Sequence, residues 1–174
     1  SAARYGAVIV TSTDDLLGHP GFRATENAWR TVRTLADVAA AAEGTLVLQT
    51  LDGENPAIRR LLAAPKAFLA EELEARDRAG FPPKSALVTV TTVGRTENEA
   101  KAKIAALAKR LRADLGTRSG AAVTGPHRPG NPFRHGAWRS LLVIRAQSFT
   151  PALAAALHAL PEDCIIDRDP EYLG

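Results

Sequence analysis

No helix and no central strand can run through Gly80-Phe81-Pro82-Pro83. The glycine weakens a helix, and the two prolines lack backbone donors and push the residues before them into extended conformations. The chain of 174 residues is therefore read as two stretches, and their hydrophobic patterns differ in kind.

Beyond the divider the elements fall in a definite order. Ala86–Val93 is dense in β-branched residues and reads as a strand. Thr96 and Glu99 form a capping box, followed by a helical stripe of Ala100, Ile104, Leu107, Ala108, Leu111 and Leu115 that Gly116 closes. Ala121–Thr124 is a short strand, residues 125–137 a loop or hairpin tip, and Arg139–Ala146 a strong strand. Thr150-Pro151 opens a second helix carrying Leu153, Leu157 and Leu160, which Pro161 ends, and Cys164–Asp169 is the last, buried strand. The order is β-α-β-β-α-β, that of a split ferredoxin-like domain.

Before the divider, residues 5–13 read as a buried strand ending in Asp14-Asp15. His19-Pro20-Gly21 is a turn, Phe22–Ala42 a helix ended by Gly44, and Thr45–Leu51 a second strand. Asn55 and Pro56 supply the N-cap and first residue of a further helix over 57–79, broken at Pro65, with Ile58, Leu61, Leu62, Phe68, Leu69 and Leu73 on one face. A strand-helix-strand of some fifty residues cannot close a core alone and looks like the tail of a doubly wound α/β domain. The chain contains no Met and opens Ser1-Ala2-Ala3, so it is expected to be a piece of a longer protein.

Composition excludes several classes. The chain is 45% hydrophobic and 24% charged, within the range of ordinary globular domains. No apolar run approaches the ~18 residues of a membrane span and no signal-peptide core is visible, so a non-membrane, cytoplasmic protein is expected. The single Cys164 rules out an internal disulfide or a multi-cysteine zinc site in this chain. The cations are 17 Arg and 5 Lys, yet the net charge is only +3, so charge placement matters more than its sum.

No catalytic constellation appears. A phosphate loop and a nucleophile elbow are both lacking, and His19, His127, His135 and His158 are scattered without metal-ligand spacing. Asp167 and Asp169 share a strand face with Glu171 near them, a pattern better suited to a solvated strand end than to a divalent cation. The informative segment is Pro126–Arg139, which interleaves Arg128, Arg134 and Arg139 with Phe133 and Trp138 among prolines and glycines. Phosphates are held by fixed cations, and unstacked bases by aromatic or guanidinium planes, and such a segment offers both. The expected nucleic-acid contacts are Arg128, Arg134, His135, Trp138 and Arg139. A second basic set, Lys101, Lys103, Lys109, Arg110, Arg112 and Arg118, sits mainly where a helix macrodipole favours cations, and a solvated face explains it better than a ligand does.

From Asp14-Asp15-Leu16-Leu17 through Gly21-Phe22-Arg23-Ala24-Thr25-Glu26 the sequence resembles the PriA family of primosomal replication-restart helicases, near the end of the second helicase lobe. Further pieces match in order. They are Leu46–Thr50, Phe68 to Arg76 with Gly80–Pro83, Gly125-Pro126 with the Arg/Trp hairpin before Leu141–Ile144, and the closing Asp167-Arg168-Asp169-Pro170. The resemblance implies that 1–53 is a degenerate remnant of helicase lobe 2, 54–83 a helical connector, and 84–174 a C-terminal DNA-binding or interaction domain of S10-like fold. It implies zinc, and in active members ATP, bound by parts outside this chain, with no cofactor in the chain itself. The implied partners are forked or single-stranded DNA, single-stranded-DNA-binding protein, and primosome or helicase-loading proteins, and the implied location is the bacterial cytoplasm at the nucleoid.

Two departures qualify that picture. Where the family carries Gln-x-x-Gly-Arg-Ala-Gly-Arg, this chain reads Thr34–Glu43 without an arginine. An arginine at a transferring phosphoryl group is worth ~10³–10⁵ in rate, so an ATPase-inactive relative is expected. The last helix, Pro151–His158, is almost uncharged, which disfavours docking of an acidic protein tail there. The competing reading is a protein-docking module of a primosome component, with the arginines merely solvated. A metabolic enzyme is a distant third.

Overall fold

The computed structural model describes residues 6–18 and 21–170, and the side chains of all of these but 117–119. The expectations placed on Ser1–Ala3, Tyr5, His19-Pro20 and Glu171, and on the Arg118 side chain, lie outside the described residues. The chain divides between Ala75 and Arg76 into two compact units.

The first unit runs β1 (Ala7–Val10), α1 (Thr13–Leu17), α2 (Ala24–Ala41), β2 (Thr45–Leu48) and α3 (Pro56–Leu61), and the boundary falls within α4 (Pro65–Arg78). β1 and β2 pair in parallel with α2 as the crossover, Val8 opposite Leu46 and Val10 opposite Leu48. Ala28 and Val32 of α2 bury against Ile58 and Leu61 of α3, with Leu46, Leu48 and Trp29 beside them. The segment expected as strand through Thr13 ends earlier, and Asp14-Asp15 lie in the first turn of α1 instead. Carboxylates are favoured at that end of a helix. Asp14 also accepts hydrogen bonds from the Leu51 N–H and the Thr50 hydroxyl, both 3.0 Å, which ties α1 to the chain leaving β2.

Asn55 caps α3 as expected, accepting from the Ala57 N–H at 2.9 Å, and Pro65 opens a separate helix. The break changes the helical phase. Phe68 and Glu72, four apart, point inward on α4, so Leu69 and Leu73 turn out to solvent at 47% and 46% exposure, as does Leu62 at 66%. The single apolar face expected over 57–79 is therefore two short faces. Glu72 is buried because Arg60 donates to it at 3.0 Å, and the Arg60 guanidinium also lies 5.7 Å from the Phe68 ring centre.

The second unit runs β3 (Ala86–Gly94), α5 (Glu97–Ser119), β4 (Ala122–His127), β5 (Phe133–Arg134), β6 (Ala137–Ala146), α6 (Pro151–His158) and β7 (Ile165–Arg168). Its sheet is antiparallel in the order β4-β6-β3-β7, with β5 paired to β6. Val88 and Val90 of β3 and Leu142 and Ile144 of β6 face Ile104, Leu111 and Leu115 of α5 and Leu153 and Leu157 of α6. Each such side chain contributes about 1.5–3 kcal/mol by leaving water.

Three local expectations shift. Gly116 does not end α5 but interrupts it with φ 4° and ψ −145°, and Gly120, at φ 62°, is the left-handed cap. In the capping box, Thr96 accepts from the Glu99 N–H at 3.2 Å, while the Glu99 carboxylate reaches one residue further back, to the Arg95 N–H at 2.8 Å. The last strand is an exposed edge rather than a buried one, since β7 pairs on one side only and leaves Ile165 half in solvent. Cys164, just before it, is half-buried against the core, and burial pushes its thiol above the ordinary value, consistent with a small apolar filler.

Candidate nucleic-acid interface

The segment 125–139 is a twisted hairpin rather than a slack loop. β4 pairs with β6 through Thr124↔Val143, shifts register at Gly125-Pro126, and resumes at His127↔Leu141. At the shift Gly125 has φ 107°, and a side-chain carbon there would come within 3.0 Å of the Leu141 carbonyl. Arg112 of α5 anchors the irregularity, its Nε donating to the Val123 carbonyl at 3.2 Å and its Nη2 to the Gly125 carbonyl at 2.7 Å. Further out, the Arg139 N–H donates to the Pro132 carbonyl at 2.7 Å.

The tip is a second, tighter hairpin. Phe133 pairs with Trp138 and Arg134 with Ala137 around the two residues His135 and Gly136, whose φ values are 52° and 76°. Two positive φ angles make a type I′ turn, whose twist matches that of paired strands. The Phe133 and Trp138 rings meet with centroids 5.3 Å apart. Phe133 nevertheless remains 50% exposed, and Arg134 and His135 are exposed beside it.

The five expected contact residues fall into two groups. Arg134, His135 and Trp138 share the tip, while Arg128 and Arg139 sit at its base. There they line a groove of about 430 Å³ together with Lys101, His127 and Glu97. Glu97 accepts from Lys101 at 2.9 Å and stands 4.0 Å from the Arg128 Nε. The Lys101 hydrogen bond first, and the Lys101 and Arg128 charges after it, hold the Glu97 carboxyl below the usual range. The Nε of half-buried Arg139 has no hydrogen-bond acceptor.

Several cations of the second basic set are engaged within the unit. Lys103 pairs with Glu99 and Asp163 and donates to the Val93 carbonyl, Arg110 pairs with Asp114, and Arg112 holds β4. Sequence reasoning missed Lys101 and Glu97 as groove residues and Arg112 as the anchor, and it named Phe133 in the segment without counting it among the contacts. The Phe133–Trp138 pairing could have been inferred from His135-Gly136 as a turn dipeptide, but nothing in the sequence links Arg112 to a carbonyl thirteen residues on.

Among the described residues no three His, Cys, Asp or Glu side chains come together as metal ligands. None of the described helices is long and apolar enough to cross a membrane. The segment Thr34–Glu43 is the second half of α2 and the turn after it, with Ala39 buried.

A parallel β-α-β pair, then an antiparallel sheet whose central strand extends into a basic, aromatic hairpin, define a mixed α/β chain with one prominent surface element. Comparison with known proteins places that class more narrowly: the chain is similar to the replication restart proteins PriA. It is 26% identical to the Thermotoga maritima PriA over 99% of this chain and 23% of the relative. It is 32% identical to a probable PriA of Deinococcus radiodurans over 80% of this chain and 15% of the relative, and 34% identical to one of Mycobacterium leprae over 55% and 15%. The resemblance read from the motifs thus holds across the chain, which spans between 15% and 23% of these relatives' lengths. No family model matches it.

Proposed function

We propose that this chain is the C-terminal part of a PriA-like replication-restart protein and binds branched or single-stranded DNA through the 125–139 hairpin. The observation that carries the reading is the hairpin tip. Exposed Phe133, Arg134 and His135 project beside Trp138 on a type I′ turn, with Arg128 and Arg139 at its base. Aromatic faces stack unpaired bases with little sequence preference, and the cations hold the backbone, so the element suits a junction where strands separate.

The strand order β4-β6-β3-β7 with two helices on one face supports a ferredoxin-like, S10-like second unit. The parallel β1-α2-β2 supports descent of the first unit from a helicase lobe. In this reading α2 has absorbed the arginine-bearing loop, so the parent protein assembles a primosome on DNA in the bacterial cytoplasm without hydrolysing ATP. DNA-stimulated ATP hydrolysis by the full-length protein would refute that part.

The DNA-binding claim is tested by titrating Arg134→Ala and Trp138→Ala variants against a labelled fork. Weaker binding with an unchanged fold supports it. Unaltered binding, or no binding by the parent chain, favours the protein-docking reading instead.

A further inference from the structure

The groove beneath the hairpin has a property that the tip lacks. Three permanent cations, Lys101, Arg128 and Arg139, face a single carboxylate, Glu97, together with His127. That carboxylate serves two of the three, by a hydrogen bond to Lys101 at 2.9 Å and by an ion pair with Arg128 at 4.0 Å. The third, Arg139, lines the groove without a carboxylate partner among the described residues, and its Nε is buried without an acceptor, so its charge is the one in the groove left unneutralised. A groove of about 430 Å³ leaves room for one tetrahedral anion and its linkages beside these groups.

We propose that this groove seats one phosphate group of the DNA backbone, and that Glu97 is its built-in competitor, holding Lys101 and Arg128 until a phosphate displaces it. The proposal rests on the reading of the hairpin as a DNA contact and adds to it a path for the backbone from the tip to α5. The tip then supplies stacking and the groove a single positioned phosphate contact. Displacing Glu97 from Lys101 and Arg128 offsets part of what the phosphate contact contributes, so the groove is filled most readily by strands already held on the tip.

The test compares the parent chain with Glu97→Gln, using Glu97→Asp as a charge-preserving control and a melting curve to confirm folding. Binding of a labelled single-stranded oligonucleotide is measured over a salt series, and the Arg139 Nε–Hε resonance is followed with the oligonucleotide and with inorganic phosphate. Loss of the competing charge should tighten oligonucleotide binding about two- to fivefold, the scale of an exposed ion pair. It should also steepen the logarithmic salt slope by about one. The Asp variant should behave as the parent, and the Arg139 signal should move with oligonucleotide.

Equal or weaker binding by Glu97→Gln, with the parent chain binding normally, overturns the groove proposal and leaves the hairpin reading intact. Binding by neither protein removes the hairpin reading. In that case movement of Arg139 with inorganic phosphate alone supports a seat for a free phosphate group, and no movement overturns the seat altogether.

Discussion

Phe133 and Trp138 face each other across a two-residue turn, their ring centroids 5.3 Å apart and their planes inclined by 56°. A tilted aromatic pair of this kind is worth about 0.5–1.5 kcal/mol beyond the area it buries. It stiffens a hairpin tip that otherwise projects exposed polar side chains, and it leaves half of Phe133 open to a third ring.

Trp138→Ala should therefore act on binding more than on stability. Loss of one stacking platform is expected to weaken single-stranded DNA binding by about 1–3 kcal/mol, roughly 5- to 150-fold. Trp138 is only half-buried, so the melting temperature should fall by no more than a few degrees. Fluorescence anisotropy and a thermal melt on the same sample separate the two effects.

Arg112 tests whether the base of the hairpin must be held. Its two charge-assisted hydrogen bonds to the Val123 and Gly125 carbonyls end in Arg112→Ala. The side chain is exposed, so the stability cost should be modest, about 1 kcal/mol by denaturant titration. Heightened amide exchange at Val123–His127, with β3 unaffected, would locate the loss at the irregular stretch of β4.

Arg112 marks where sequence reading reached its limit. The β-branched run Ala86–Val93, the stripe from Ala100 to Leu115 and the caps at Asn55, Thr96 and Thr150 depend on chemistry a few residues apart, and all appear in the structure. The misreadings came from tertiary choices. Asp14-Asp15 looked like the end of a strand because the acceptor for Leu51 lies thirty-seven residues away. Leu69 and Leu73 looked buried because Pro65 alone does not say how far it rotates the next helix. Ile165 and Ile166 looked like core because an edge strand and a central strand share the same composition. Arg128, Arg134, His135, Trp138 and Arg139 were legible as a group, but their division into a tip and a groove depends on the register shift at Gly125, which local pattern does not reveal.

In the first unit, Glu72→Ala should be costly because Glu72 is buried beside Arg60. It leaves the Arg60 guanidinium, only 27% exposed, with Glu71 at 3.3 Å as a remaining partner. Breaking a fully buried pair costs ~3–5 kcal/mol, and the surviving contact and partial exposure reduce the expected loss here to about 1–2 kcal/mol. In a Trp138→Phe background, where Trp29 is the remaining tryptophan and stacks on Phe68 at 4.6 Å, near-ultraviolet tryptophan dichroism reports the unfolding of this unit.

Acid should weaken the fold in a defined window. The Asp14 carboxyl is held below its ordinary 3.8, chiefly by the Leu51 N–H. Glu97 and Glu99 are held below 4.5, chiefly by Lys101 and by the Arg95 N–H respectively. A depressed carboxyl adds stability that is fully present above its ordinary value and is lost as the pH falls through the depressed one. Lys103 is raised above 10.5, chiefly by Glu99, so its contribution persists through neutral pH and is lost only as the pH rises through the raised value. Melting temperatures should hold steady from neutral pH down to about 5 and fall progressively below about 4. A flat profile down to pH 3 would contradict this assignment.

The central claim, that the hairpin engages DNA where strands part, is tested most directly by anisotropy titration of the whole chain. Single-stranded, duplex and forked DNA of equal length are compared at two salt concentrations. The account requires tightest binding to the fork, weakening as salt rises because phosphate contacts release counterions. Equal affinity for all three DNAs would contradict structure-specific recognition, and no binding to any of them would contradict DNA contact altogether.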